Sequence, residues 1–296
     1  MMLIFIADAF DSSLPSLLKK YGEVTDDKNK LPEAEIALVR SKTKVTRDFI
    51  DKAEKLKMVI RGGVGMDTID IDYAHQKNII THNTADASTV AVAELAFAFM
   101  IALPNNITKA DRSIREGKWL KTELTRTELG GKTLGILGMG RIGTALAIRA
   151  RAFRMKLLAW HPDVRFSDFA EIRTHLEDVL PESDYVSLHT PLVESTRGLI
   201  NKKTLALFKT GAYLINTGRG ECIVEQDVAD ALKSGKLGGF ANDVWHKEPP
   251  ENSPLFDAPN TILAPHIGAS TKENLLRIGT VIDRLIDEYV AHIRKG

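Results

Sequence analysis

Leu134-Gly135-Ile136-Leu137-Gly138-Met139-Gly140-Arg141-Ile142-Gly143 is a short apolar run that breaks into a Gly-x-Gly-x-x-Gly turn, followed by a helical pattern from Ile142 to Phe153. In that setting the first glycine permits the tight turn, and the second lets the backbone approach a pyrophosphate. The third lets helix and strand pack closely, and the helix start offers free N–H groups with a favourable dipole. Glycines between a strand and a helix can be purely structural. Here the apolar run before and the helical spacing after favour the dinucleotide reading for Gly138, Gly140 and Gly143.

Outward from this turn, short apolar runs alternate with helical segments. Ile36–Val39, Met58–Ile60, Lys156–Trp160, Tyr185–Leu188 and Ala212–Ile215 read as buried parallel strands. Strands separated by helices imply right-handed βαβ units and an α/β fold with parallel sheets. Val90 to Lys118 carries no strand signal. Its first part, Val90 to Leu103, reads as a helix that Pro104 should break, and Ile107 to Arg115 resumes the spacing. A last helical segment, Lys272 to Ile293, places Leu276, Ile282, Leu285, Ile286 and Val290 on its apolar face and is expected to return to the N-terminal part. Two domains follow: 1–95 plus 270–296, and 96–269.

A length of 296 residues suits two domains, and 44% hydrophobic with 27% charged residues is the composition of an ordinary globular chain. Forty basic residues against 39 acidic leave a net charge of +1, so no nucleic-acid partner is expected. The single Cys222 excludes an internal disulfide and fits a reducing, cytoplasmic setting. Met1 to Ala7 is apolar but meets Asp8 at once, which reads as a first buried strand and not as a leader. No uninterrupted apolar stretch approaches the roughly 20 residues of a membrane span, so no membrane partner is expected. The histidines and Cys222 show no metal-site spacing.

An acid is expected about 20 residues after the glycine turn, at the end of the second strand, to hold the adenosine ribose. His161 stands there, followed by Pro162 and Asp163. Asp163 could serve NAD, and Arg165 could pair with the phosphate of NADP, so both cofactors stay open with a lean to NAD. Hydride exchange with a 2-oxo acid further needs a cation for the carboxylate, a proton donor and a carboxylate to orient that donor. Arg219 follows the strand ending at Ile215, where ligands sit in open parallel sheets, and its guanidinium can bind a carboxylate in two-pronged fashion. His266 lies in a turn of small residues, Ala264 to Ser270, and Glu248 could fix its tautomer. His75, His82, His175, His189, His246 and His292 read as structural or solvent-exposed.

The order of these segments resembles the D-2-hydroxyacid dehydrogenase family over essentially the whole chain. The resemblance implies two Rossmann-like or flavodoxin-like domains with the active site in the cleft between them, and a homodimer. It implies Arg219 as substrate ligand, His266 as acid/base and Glu248 as its partner. Asp243 and Thr190 are implied to contact the nicotinamide half, and Arg141 and Ile142 the pyrophosphate. Thr196, Thr217, Gly218 and His161 complete the expected cofactor set. Val39–Thr46, Arg61–Asp67 and Pro265–Thr271 resemble the phosphoglycerate branch, which implies 3-phosphoglycerate and phosphohydroxypyruvate as substrates. There Arg40 and Arg61 would lie near the substrate phosphate, and the amides of Gly63 and Val64 would bind the carboxylate. The alternatives are a glyoxylate or hydroxypyruvate reductase with Arg40 and Arg61 as scaffold, and a non-catalytic NAD(H)-sensing regulator. Formate dehydrogenases share the fold but pair the histidine with glutamine, where this chain has Glu248. Besides His161, Val224 stands where an aspartate is common, and Trp245-His246 is unusual. A chain stopping at Gly296 is expected to lack a serine-responsive C-terminal domain.

Overall fold

Wholly apolar runs at the start of the chain become parallel strands whose two faces are both covered. In the computed structural model, which describes residues 2–293, β1 (Met2–Ile6), α1 (Leu14–Leu18), β2 (Gly22–Thr25), β3 (Ile36–Val39), α2 (Arg47–Lys52), β4 (Met58–Arg61), α3 (Ile71–Gln76) and β5 (Ile80–Asn83) alternate. The strands stand in the order β2-β1-β3-β4-β5, all parallel. β3 and β4 are buried at every position, which is why they read as continuous hydrophobic runs without alternation. Thr46 caps α2 by accepting from the Phe49 N–H, and Asp70 caps α3 through the Tyr73 N–H.

One face of this sheet packs Ile4, Ile36, Leu38, Met58 and Ile60 against Leu14, Leu18 and the terminal helix Lys272–Ile293. The other face packs Ala37, Val39 and Val59 against Ile50, Ile69 and Ala74. The terminal helix presents Ile278, Ile282 and Ile286, with Leu285 and Val290 beside them. Leu276, expected on that face, is 55% exposed. Ile278, Ile282 and Ile286 repeat at four-residue steps on one stripe, and Leu276 lies off it. Buried Asn274 ties the start of this helix to Ala269 O (2.6 Å) and Ser88 Oγ (3.3 Å).

The second unit follows α4 (Ala85–Ala102) and α5 (Ile107–Arg115). It runs β6 (Thr133–Leu137), α6 (Arg141–Ala152), β7 (Lys156–Trp160), β8 (Glu171–Arg173), β9 (Tyr185–Leu188), α7 (Lys202–Leu207), β10 (Ala212–Asn216), α8 (Glu225–Lys233), β11 (Leu237–Asn242) and β12 (Thr261–Leu263). The sheet order is β12-β11-β10-β9-β6-β7-β8, again all parallel. β8 and β11 carried no strand signal: β8 has three residues, and β11 begins Leu237-Gly238-Gly239.

The two units are Met1–Thr89 with Ala269–Gly296, and Val90–Gly268. The boundaries expected from sequence were 95/96 and 269/270. α4 runs through the first boundary unbroken, placing Ala87 in one core and Ala93, Ala96, Phe99 and Met100 in the other, so no local feature of the sequence marks the division. The uninterrupted apolar run that a membrane span was expected to need is not met in this helix, which Asp86 and Glu94 interrupt. By length and apolar composition alone the helix could span a membrane, because the average over 18 residues tolerates both acids. Of that stretch, 44% is buried inside the fold.

Candidate active site

Strand order reverses between β6 and β9, and in open parallel sheets ligands bind outside the carboxyl ends of strands at such a point. The glycine turn lies there. Gly138 has φ +104°, and a Cβ on it would meet the backbone of His189 and Thr190 at the end of β9. A Cβ on Gly143 would strike the Gly138 carbonyl, so α6 can approach β6 only as glycine. Gly140 is different. Its backbone is extended (φ −86°, ψ −159°), and an added Cβ would meet nothing within 4 Å. Neither conformation nor protein packing calls for glycine there, and the N-terminus of α6, with Arg141 and Ile142 in its first turn, has no side-chain cap. Open space at a bare helix start fits the pyrophosphate of a dinucleotide.

The three proposed catalytic groups follow β10, β11 and β12, neighbours in the same sheet. His266 Nδ1 meets both oxygens of Glu248 at 2.8 Å. Burial works to raise the Glu248 carboxyl, but the hydrogen bond and charge of His266, with the Trp245 N–H and Arg219, outweigh it and hold the group below its ordinary value. Glu248 is thus a carboxylate at neutral pH, its partner nitrogen is Nδ1, and the His266 tip is Nε2. His266 adopts φ +55°. Asp243, 2% exposed, holds that left-handed turn by accepting the N–H groups of Ile267 and Gly268, both at 2.8 Å. The loop bearing Glu248 is pinned by Trp245 Nε1 to Ala264 O (2.9 Å) and by His246 Nε2 at Ile223 O (2.8 Å). The unusual Trp245-His246 pair is therefore a pair of anchors. Arg219 leads into Gly220, where a Cβ would collide with the backbone of Trp245 and His246.

The expected cofactor residues of this unit lie at strand carboxyl ends, in the loops they start or in the first turn of α6, yet several spend their polar groups internally. The Thr196 hydroxyl donates to Pro191 O (2.6 Å) and accepts from the Val193 N–H, and the residue is 1% exposed. It shapes the loop after β9 and does not offer its hydroxyl to a ligand. Thr190 is buried with its hydroxyl on Cys222 Sγ (3.7 Å). Both Asp243 oxygens serve the His266 turn, a role the nicotinamide assignment did not include. Gly218 donates its N–H to Asn216 Oδ1 (3.1 Å). Thr217 Oγ1 lies 3.2 Å from His189 Nδ1.

His189, expected to be structural or solvent-exposed, is held inside the second unit. Its ring is held between Ser187 Oγ (2.9 Å at Nε2) and Thr217, at the switch point, and burial pushes its pKa down to about 3. The imidazole is neutral throughout the working range. The unfolded chain takes up this proton first, near pH 6.5, so the native state loses stability as pH falls from there toward 3, by at most about 1.4 kcal/mol per pH unit. His189→Asn is expected to flatten the fall of Tm between pH 6.5 and 4.5, measured by thermal melts. Equal slopes in both proteins would remove this assignment.

In the first unit the order reverses between β1 and β3, and Asp8 and Arg40 stand at those two ends. Asp8 accepts the Arg40 N–H (2.6 Å), the Thr43 N–H (3.1 Å) and the Thr43 hydroxyl (2.7 Å). Arg40 Nη1 donates to Ala9 O (3.2 Å), and burial lowers its guanidinium pKa against the pull of Asp8. Asp8 was not singled out from sequence, although an acid ending an apolar first strand was a usable signal. Arg61 is 6% exposed, and its guanidinium covers the place a Gly63 side chain would fill. The Gly63 N–H, assigned to the substrate carboxylate, donates to Arg61 O (2.9 Å), because the chain closes a tight turn there. Among the described residues no group of three or more metal-binding side chains gathers.

Residues 97–268 match the family described as D-isomer specific 2-hydroxyacid dehydrogenase, NAD binding domain. The chain belongs to that family. The hydroxypyruvate reductase of Thermotoga maritima is 40% identical over 298 residues, covering 96% of this chain and 97% of that protein. The D-3-phosphoglycerate dehydrogenase of Methanocaldococcus jannaschii is 39% identical over 294 residues, covering 95% of this chain and 56% of that protein. The chain thus spans just over half the length of the phosphoglycerate dehydrogenase it matches. Among solved structures, the D-lactate dehydrogenase of Aquifex aeolicus, complexed with NAD and lactic acid, has a TM-score of 0.87 at 28% identity, covering 98% of this chain and 96% of that one. Family membership makes NAD the cofactor of the second unit, in agreement with the open helix start at Gly140.

Proposed function

We propose that this protein is a D-2-hydroxyacid dehydrogenase that interconverts a phosphorylated three-carbon hydroxy acid, 3-phosphoglycerate, and its 2-oxo acid, phosphohydroxypyruvate. The observation that carries the chemistry is the Glu248–His266 pair standing one loop from Arg219 in the unit that holds the glycine turn. When bound at the glycine turn, the cofactor would supply the chemistry of hydride transfer at C2, as NADH in reduction and as NAD+ in oxidation. Arg219 binds the substrate carboxylate and draws electron density from the carbonyl. His266, with Nδ1 committed to Glu248, gives a proton from Nε2 to the carbonyl oxygen in reduction and takes it back in oxidation. Glu248, ionised, keeps the ring in one tautomer and balances its charge when protonated.

Arg40 supports the choice of a phosphorylated substrate: it follows β3 at a switch point, its backbone N–H held by Asp8 and its guanidinium by Ala9 O, with Arg61 at the end of the neighbouring β4. The second reading is a hydroxypyruvate reductase. It is favoured by the burial of Arg61, which leaves Arg40 as the more accessible of the two guanidinium groups for a phosphate, and by the similarity to the Thermotoga protein along its length. A homodimer and a cytoplasmic setting belong to the same proposal; the sole cysteine, Cys222, is buried and free.

A spectrophotometric screen of phosphohydroxypyruvate, hydroxypyruvate, glyoxylate and pyruvate with NADH tests the proposal. Phosphohydroxypyruvate is expected to give the highest kcat/KM, and Arg40→Ala to lower that value by about tenfold or more while sparing hydroxypyruvate. Phosphohydroxypyruvate no better than hydroxypyruvate in the native protein would sink the phosphate assignment and favour the reductase.

A further inference from the structure

The end of β7 is where a sheet of this order reads the adenosine ribose, and His161 occupies it. Its Nδ1 accepts two backbone N–H groups, from Asp163 (3.0 Å) and Val164 (3.1 Å). A ring nitrogen that accepts carries no proton, so the proton of the neutral ring lies on Nε2. The other ring nitrogen, Nε2, is therefore a donor. A carboxylate at this place would accept both ribose hydroxyls and repel a phosphate on the 2′ oxygen; His161 does neither.

Two further observations bear on the same end of the sheet. Exposed Arg165 reaches back with Nη1 to His161 O (3.4 Å), bringing a guanidinium to the strand end. Beside Trp160 opens a cavity of about 420 Å³, lined in part by His175, Leu176, Glu177, Ser195 and Arg197. Its size suits a nucleoside, and its charged lining holds one acid and one guanidinium. The carboxylate nearest along the chain is Asp163, which is exposed and whose own N–H is committed to His161.

We propose that His161 makes this site tolerant of a phosphate on the adenosine ribose, so that the protein binds the 2′-phosphorylated nicotinamide dinucleotide about as well as NAD. His161 is then a specificity-determining residue, with Arg165 as its cationic support. The proposal rests on the dinucleotide reading of the second unit and not on the identity of the hydroxy acid.

The test is direct binding without substrate: NADH, NADPH, 5′-ADP and 2′,5′-ADP are titrated into the full chain by calorimetry. The dissociation constants of NADH and NADPH are expected to lie within about tenfold of each other, and 2′,5′-ADP to bind at least as tightly as 5′-ADP. His161→Asp should shift the NADPH-to-NADH ratio toward NADH by about thirtyfold or more, through two gained hydroxyl contacts and charge repulsion. Should the aspartate variant not fold, His161→Ala removes the donor alone and should move the ratio the same way by about threefold. NADPH bound more than about a hundredfold more weakly than NADH by the native protein overturns the proposal. So does an unchanged ratio in a folded variant. Binding of neither dinucleotide would overturn the dinucleotide reading itself, an outcome distinct from NADH binding alone.

Discussion

His266→Ala is expected to lower kcat for reduction of the preferred 2-oxo acid by about 10²–10⁴, the usual contribution of a positioned acid/base. The loss should fall on kcat and kcat/KM alike, because the proton moves only in the transition state. NADH binding should change little, since the glycine turn and α6 lie on other strands of the sheet. The substitution has a structural cost as well. His266 sits at φ +55°, where alanine is less at ease than histidine or asparagine, and removing the ring leaves Glu248 without its main partner. His266→Asn, which tolerates the same backbone, separates the two effects: it should keep the fold and still lose turnover. Undiminished turnover in either variant would end the acid/base assignment.

Gly220→Ala is expected to destabilise the second unit by about 2–3 kcal/mol and to cost most of the activity. The glycine at this position has no left-handed backbone; it is required because the loop after β10 and the loop after β11 touch main chain to main chain at Trp245 and His246. One methyl group must push the two loops apart, and those loops carry Arg219 and Glu248. At about 2–4 °C per kcal/mol for a domain of this size, Tm should fall by several degrees. Gly140→Ala is the contrast. It meets no protein atom within 4 Å, so melting should barely change while the dissociation constant for NADH rises. A Gly220→Ala protein with native Tm and native activity would show that the two loops can separate freely.

Much of the fold was legible in the sequence because buried parallel strands leave a plain trace. Ile36–Val39, Tyr185–Leu188 and Ala212–Ile215 are apolar on both faces, and the helical segments between them set the direction. β8 and β11 left less, being short or rich in glycine. The unit boundary was misplaced by six residues because α4 passes through it as one helix, and hydrogen bonding along a helix is blind to which core its side chains enter. Leu276 was misassigned because the spacing there admits more than one stripe, and packing chose Ile278, Ile282 and Ile286.

The site divided in the same way. Residue types with few alternatives at strand ends, Arg219, Glu248, His266 and the glycine turn, could be named from the chain alone, since their chemistry and their place after a strand coincide. The sequence by itself determined the α/β class and the dinucleotide turn, and it named the catalytic set proposed here. Only the tertiary structure decided how the remaining polar groups are spent. It placed Asp243 under the His266 turn, closed the Thr196 hydroxyl and the Gly63 amide into their own loops, set neutral His189 at the switch point, and committed His161 Nδ1 as an acceptor. Asp243 meets the His266 turn and Thr217 meets His189 across 24 to 28 residues, while Thr196, Gly63 and His161 find partners within five, and in each case what counts is which group lies within about 3 Å. Local spacing carries no record of that distance.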